Sequence, residues 1–157
     1  MNKHIQKIHH FRKFILQNIE TLSIEQLNEI PQGLNNNIIW NLGHLIASAQ
    51  MIFYKRAGLP FTIDEKYITP FLPNSRPDGY ITATDVENLK DLALSTIENM
   101  QTDYHIKDFN QYIKSENIER VYGIEVLTID DALEFLLYHE GYHTGKIISL
   151  KQLILKE

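Results

Sequence analysis

The chain has 157 residues, 43% of them apolar, and a formal charge of −5, which fits one packed domain of ordinary size rather than a disordered segment. It contains no cysteine, so disulfides, thiolate metal sites, iron–sulfur clusters and a cysteine nucleophile are excluded, and any metal must be held by nitrogen and oxygen. No basic stripe offers to replace the counterions of a nucleic acid and no apolar run is long enough to span a bilayer, so neither partner is expected and the cytoplasm is the default compartment.

Four helical patterns follow in chain order. The first covers about Lys3 to Glu20, with Ile5, Ile8, Phe11, Phe14 or Ile15, and Ile19 at helical spacing. A brief helix follows, opened by the capping-box string Ser23-Ile24-Glu25-Gln26 and closed by Pro31 and Gly33. The second long helix is expected to be capped by Asn35 or Asn36 and to run through Ile38, Ile39, Leu42, Leu45, Ile46, Ala49 and Phe53, until Gly58 and Pro60 stop it. Gly58 to about Ala83 reads as a long crossover with four prolines, Pro60, Pro70, Pro73 and Pro77; a loop of that length in a compact domain is often functional. The third helix is placed from Thr84, where Thr84-Asp85-Val86-Glu87 has capping-box form, through Leu89 and Thr96 to Met100. Val121 to Leu127 is rich in β-formers, so a small hairpin with Tyr112-Ile113-Lys114 fits this stretch. The fourth helix starts at Thr128, carries Asp130 and Asp131 in its first turn, and reaches about Leu155.

The chemistry is concentrated in Tyr138-His139-Glu140-Gly141-Tyr142-His143. Two histidines four apart on a helix lie on one face, one turn apart, where they can share an ion. The same face carries Ala132, Phe135, Leu136, Ile147 and Leu150, so the pair points inward. The string also reads as H-E-x-x-H, a zinc-protease motif. A metzincin needs Gly and His beyond it, where Lys146 and Ser149 stand, and only 14 residues follow His143, all in the same helical pattern. A third ligand must therefore come from upstream. His44, on the second helix, is the best candidate: Asn37, Trp40, Asn41, Ser48 and Met51 share its face and resemble the wall of a site. Gly43 and Gly141 flank the proposed ligands, at roughly 1 kcal/mol of helix propensity each, which a close helix approach or room for a ligand would offset. The plain alternative is that these histidines are hydrogen-bonded core residues. His4, His9, His10 and His105 fall near termini or loops and read as surface residues, and the Tyr and Phe content reads as core.

The segments NNIIWNLGHLIASAQMIFYKRAGL (36–59) and YGIEVLTIDDALEFLLYHEGYHTGK (122–146) resemble the second-helix and last-helix signatures of the DinB-like (YfiT-type) metal-dependent four-helix-bundle proteins. The resemblance covers nearly the whole chain. It implies one domain over residues 1–157, folded as an all-α four-helix bundle. The implied helix order is up-down-down-up, with a long crossover between helices two and three. It also implies a homodimer, and one nickel, zinc or similar ion (iron and manganese being alternatives) held by His44, His139 and His143 with positions open to water. Some relatives transfer bacillithiol, and a related group includes mycothiol-dependent isomerases. Lys146 departs from the family's common Gln.

The function implied by this resemblance is a metal-dependent enzyme acting on a small molecule. Transfer of a low-molecular-weight thiol to small electrophiles ranks first. The alternatives are a metal-dependent hydrolase and a non-catalytic stress-response bundle stabilised by its metal. Glu140 and Lys146 are the candidates for catalytic side chains beyond the ligands, with Asn37, Trp40, Asn41 and Ser48 as pocket residues. Glu140 has a solvent-facing or interhelical role as its competing reading.

Overall fold

The computed structural model describes residues 2–156. It has six α-helices: α1 (Lys3–Ile19), α2 (Ile24–Asn28), α3 (Ile38–Ala49), α4 (Ala83–Ile106), α5 (Glu116–Tyr122) and α6 (Ile129–Leu155). A π-helical turn, Gln50–Tyr54, continues α3 into a 3-10 turn at Lys55–Ala57, and two further 3-10 turns, Glu65–Tyr67 and Thr69–Phe71, lie in the crossover.

The expected four-helix bundle with a β-hairpin is not what forms. The chain is all-α, with more helices than that architecture has, and no β-strand occurs among the described residues. The hairpin fails for local reasons. Ser115 caps α5 by accepting from the Ile118 N–H, acidic Glu116 and Glu119 occupy its first turn, and Gly123 closes it in the left-handed conformation at φ 67°. Val121 and Tyr122 thus end a helix, while Val126 is drawn alone into the core. The Ile113 N–H donates instead to the Arg56 carbonyl at 2.7 Å.

Two core clusters fix the directions of the long helices. At one end, the early residues of α1 (Ile5, Ile8) meet the late residues of α4 (Ile97, Met100), the early part of α6 (Leu133, Leu136) and Phe53 beyond α3. At the other end, Ile15 and Ile19 of α1 meet the starts of α3 and α4 and the late residues Ile147 and Leu150 of α6. Helices α1 and α6 therefore run one way, and α3 and α4 the other. Every residue of α3 is buried, which makes it the central helix.

Caps place the helix starts, two of them later or earlier than the sequence implied. Asn37, not Asn35 or Asn36, caps α3 by accepting from the Trp40 N–H at 2.9 Å. Thr82, not Thr84, caps α4: its hydroxyl accepts from the Asp85 N–H and donates to the Asp85 carboxylate. Thr82 and Thr84 both head a capping-box pattern, and the earlier one wins. Ser23 forms the capping box expected of it, and Thr128, expected only as the start of the last helix, forms one with Asp131.

The buried face of α1 is Ile5, Ile8, Arg12, Ile15 and Ile19, an alternating three-and-four spacing that puts a charged residue where Phe11 was expected. Phe14 is exposed. Arg12 is fully buried and ties the long helices together. Its guanidinium donates to both Glu140 oxygens at 2.6–3.0 Å, to the Leu45 carbonyl at 2.9 Å and to the Ala93 carbonyl at 3.2 Å.

Candidate metal centre

Helix α3 presents His44, and α6 presents His139 and His143 one turn apart, all three buried. The ring centroids lie 5.1 Å (His44–His139), 4.7 Å (His44–His143) and 4.5 Å (His139–His143) apart. One ring nitrogen from each falls within 4.8 Å of the others. A shared ion, with bonds of about 2.0–2.1 Å, needs them somewhat closer, which side-chain torsions can supply. His4, His9, His10 and His105 do not join this cluster.

The surroundings hold two of the rings in a defined state. His44 Nδ1–H donates to the Phe71 carbonyl at 2.6 Å, and His143 Nδ1–H donates to Asn41 Oδ1 at 2.8 Å. With Nδ1 protonated by these bonds, Nε2 keeps its lone pair, the arrangement usual for a ligating histidine. Trp40 stacks on His44, centroids 4.9 Å apart and planes 8° from parallel, so that ring cannot rotate freely. His139 differs: its Nδ1 is the one buried side-chain nitrogen or oxygen among the described residues with no hydrogen-bond partner. A buried polar atom left in this condition costs about 1–3 kcal/mol, and a cation or a water must supply its partner.

Electrostatics select the neutral imidazoles that a metal requires. Burial holds His139 well below its ordinary range, and the neighbouring His143, His44 and Arg12 push the same way. Burial, with His44 and Lys146, brings His143 down to about 3. Burial also lowers His44, against the Phe71 hydrogen bond that raises it. Three neutral nitrogen donors, one of them unsatisfied, with no thiolate, fit a borderline divalent ion.

The centre opens on a cavity of about 220 Å³ that His44 and His139 both line. Its walls include Ser48, Met51, Ile52, Arg56, Ile118 and Phe135, and no Asp or Glu among the described residues lines it. Met51 and Ile52 belong to the π-helical turn after α3. Such turns shift the helix face and recur at functional sites. Here the turn leaves the Ile52 carbonyl to accept from the Tyr112 hydroxyl at 2.7 Å, tying the segment before α5 to the cavity wall.

The candidate side chains divide by location. Trp40, Asn41 and Ser48 surround the cluster, with Ser48 Oγ 3.4 Å from His44 Nε2. Asn37 does not: its Oδ1 caps α3 and its Nδ2 donates to the Asn28 carbonyl. Glu140 is buried against Arg12 on another face of α6, both oxygens engaged in an interhelical ion pair. Burial pushes its carboxyl up and the guanidinium opposes that. Lys146 is half-buried with its ammonium 5.4 Å from the Tyr142 ring centroid. Its charge is felt at His44 and His143, but it does not line the cavity. Gly43 admits close contact: an added Cβ would lie 2.5 Å from the Phe71 ring. Gly141 faces no neighbour within 4 Å, so no close approach explains it.

Three participants were missed in the sequence. Arg12 carries its signal in the spacing of α1, and Arg56 borders the cavity from a position that reads as a helix end. The Phe71 carbonyl has no sequence signal, because any residue there carries the same group.

A family model described as the DinB superfamily matches residues 8–147. No curated protein matches the chain. The chain belongs to the DinB superfamily.

Proposed function

We propose that this DinB superfamily member is a metal-dependent enzyme that uses His44, His139 and His143 to hold one divalent ion and brings a low-molecular-weight thiol to a small electrophile. The observation supporting this most directly is the convergence of three buried, neutral imidazoles, two of which line a cavity. An ion held by three neutral ligands keeps its full charge and open positions, and supplies Lewis acidity that lowers the pKa of a bound thiol or water. Nickel or zinc suits the donor set first, with iron and manganese also accepted.

The residues define the remaining roles. Phe71 and Asn41 orient His44 and His143 through their Nδ1 atoms. Trp40 fixes the plane of His44. The apolar wall of Met51, Ile52, Ile118 and Phe135 limits water around the reacting atoms. No carboxylate lies in the cavity among the described residues, and Glu140, the base that an H-E-x-x-H protease would use, is held by Arg12. That disfavours a hydrolysis that needs a protein carboxylate as its base, whereas thiol chemistry, in which the ion itself yields the thiolate, needs none.

The test combines metal analysis with a thiol-transfer assay. Purified protein should carry close to one equivalent of divalent metal, and H44A and H139A should each lose it. Conjugation of a small thiol to an electrophile should then follow metal content. Full metal content in both variants refutes the three-histidine site. Turnover of esters or amides with no thiol present replaces transfer by hydrolysis. Metal that raises the melting temperature without any turnover or ligand binding leaves the non-catalytic reading.

A further inference from the structure

The cavity above the histidines has one charged side chain in its lining, and that residue has work left to do. Arg56 is half-buried at the end of the helical run that begins with α3. A guanidinium has five N–H donors. Among the described residues one Arg56 side-chain hydrogen bond is present, from Nη1 to the Lys114 carbonyl at 3.1 Å. Among the described residues no carboxylate pairs with Arg56, and none lines the cavity. Surface arginines commonly lack partners, but this one borders a partly open cavity of mixed apolar and polar lining that also exposes two of the three histidines. Its anchoring is structural: the Ile113 N–H donates to its own carbonyl, so the segment before α5 holds its backbone as well as its side chain.

We propose that Arg56 selects the substrate: the small molecule that reaches the ion carries a carboxylate at its far end, and the free edge of the Arg56 guanidinium takes that carboxylate. This rests on the three-histidine metal reading. Charge supports it. A divalent ion, Arg56 and Lys146 leave the site positive inside a chain of formal charge −5, and a low-dielectric cavity concentrates ligands of the opposite sign. One guanidinium edge matches one planar carboxylate in two parallel hydrogen bonds. Between the two cations, Met51, Ile52, Ile118 and Phe135 offer only apolar surface, which suits a short hydrocarbon or aromatic middle. The volume of about 220 Å³ lies below the roughly 300–1,000 Å³ common for drug-sized ligand sites. That confines the enclosed part of the ligand to a small acid.

The experiment uses ω-mercaptoalkanoates of two to six carbons on the cobalt-loaded protein, read by the sulfur-to-cobalt charge-transfer band. Neutral mercaptoalcohols of equal length are the controls. The thiol reports on the ion, and the chain length spans the distance to Arg56. The best acid should bind at least tenfold more tightly than its alcohol, with affinity peaking at one chain length. R56M and R56Q should reduce that preference to less than twofold, leaving cobalt content and mercaptoalcohol affinity unchanged. R56Q keeps a donor for the Lys114 carbonyl, so it separates lost charge from a displaced segment. No acid preference in the wild type, or a preference surviving in either variant, overturns the assignment of Arg56 while cobalt binding still supports the metal site. Failure of the wild type to bind cobalt removes the metal reading and this inference with it.

Discussion

Replacing Arg12 by methionine tests the buried ion pair beneath the metal centre. Arg12 and Glu140 are 0% and 1% exposed, and both carboxylate oxygens accept from the guanidinium. Removing one partner of such a pair costs about 3–5 kcal/mol, because the other is left charged and dry. The two halves differ in their escape. An orphaned Glu140 can take a proton, whereas a guanidinium has no accessible neutral form. In R12M burial alone acts on the Glu140 carboxyl and keeps it protonated in the folded state, above the ordinary 4.5 of the unfolded chain. A folded pKa raised in this way makes stability greatest at low pH and erodes it as pH rises. The slope is up to about 1.36 kcal/mol per pH unit. Urea unfolding at pH 5 and pH 7, each against wild type, should show the R12M penalty shrinking towards pH 5 by up to about 2.7 kcal/mol. E140M should show no such relief, and R12M/E140M should be less destabilised than the sum of the two single variants. A penalty for R12M that is flat or grows towards acid, or double-variant additivity, would refute the account.

Other expectations concern the centre itself. Because burial holds all three histidines below their ordinary pKa, and His143 down to about 3, protons should not compete with metal near pH 6.5. Zinc affinity measured by chelator competition should stay flat from pH 8 to about 6, where an exposed three-histidine site would already weaken. The same shift makes the metal-free fold most stable above the unfolded histidine pKa of 6.5. His143 alone should forfeit up to roughly 4–5 kcal/mol as pH falls from there towards 3, seen as an acid unfolding transition. N41L deprives His143 Nδ1 of its acceptor and should weaken metal binding about 10–100-fold, measured by calorimetry; an unchanged affinity would show that Asn41 does not orient the ligand. G43A should lose about 1–3 kcal/mol in urea unfolding, because its Cβ meets the Phe71 ring at 2.5 Å. A gain in stability, as helix propensity alone would give, would mean that Phe71 moves freely.

What could be read from sequence was whatever periodicity and local chemistry decide. His139 and His143 share a face because four residues make about one turn, and His44 stands out by the polar and aromatic residues on its own helix face. The capping box at Ser23 and the helix start at Thr128 stand as read. The failures are competitions, some between local signals and some settled by tertiary contacts. The stretch 121–127 has β-formers, yet Ser115 and Gly123 bracket a helix that takes its first two residues. Phe11 reads as core because it is apolar, but the register of α1 buries Arg12, and acceptors on three other helices, Glu140 and the Leu45 and Ala93 carbonyls, make that tolerable.

Glu140 shows why a motif needs its environment. In H-E-x-x-H the glutamate is read as a base because it follows a ligand and is expected to face the same ion. On an ideal helix it sits about 100° around from His139, so it can reach the ion only if that flank of the helix is open. Here α1 covers that flank and offers an arginine. Arg12 then binds the side chain that follows His139 and also the carbonyl of Leu45, the residue that follows His44. The two helices that supply the ligands are therefore joined through one guanidinium, one residue beyond each ligand. The motif's carboxylate is thus spent on joining the two helices that carry the three histidines, which is a structural use of a position that the motif alone reads as a base.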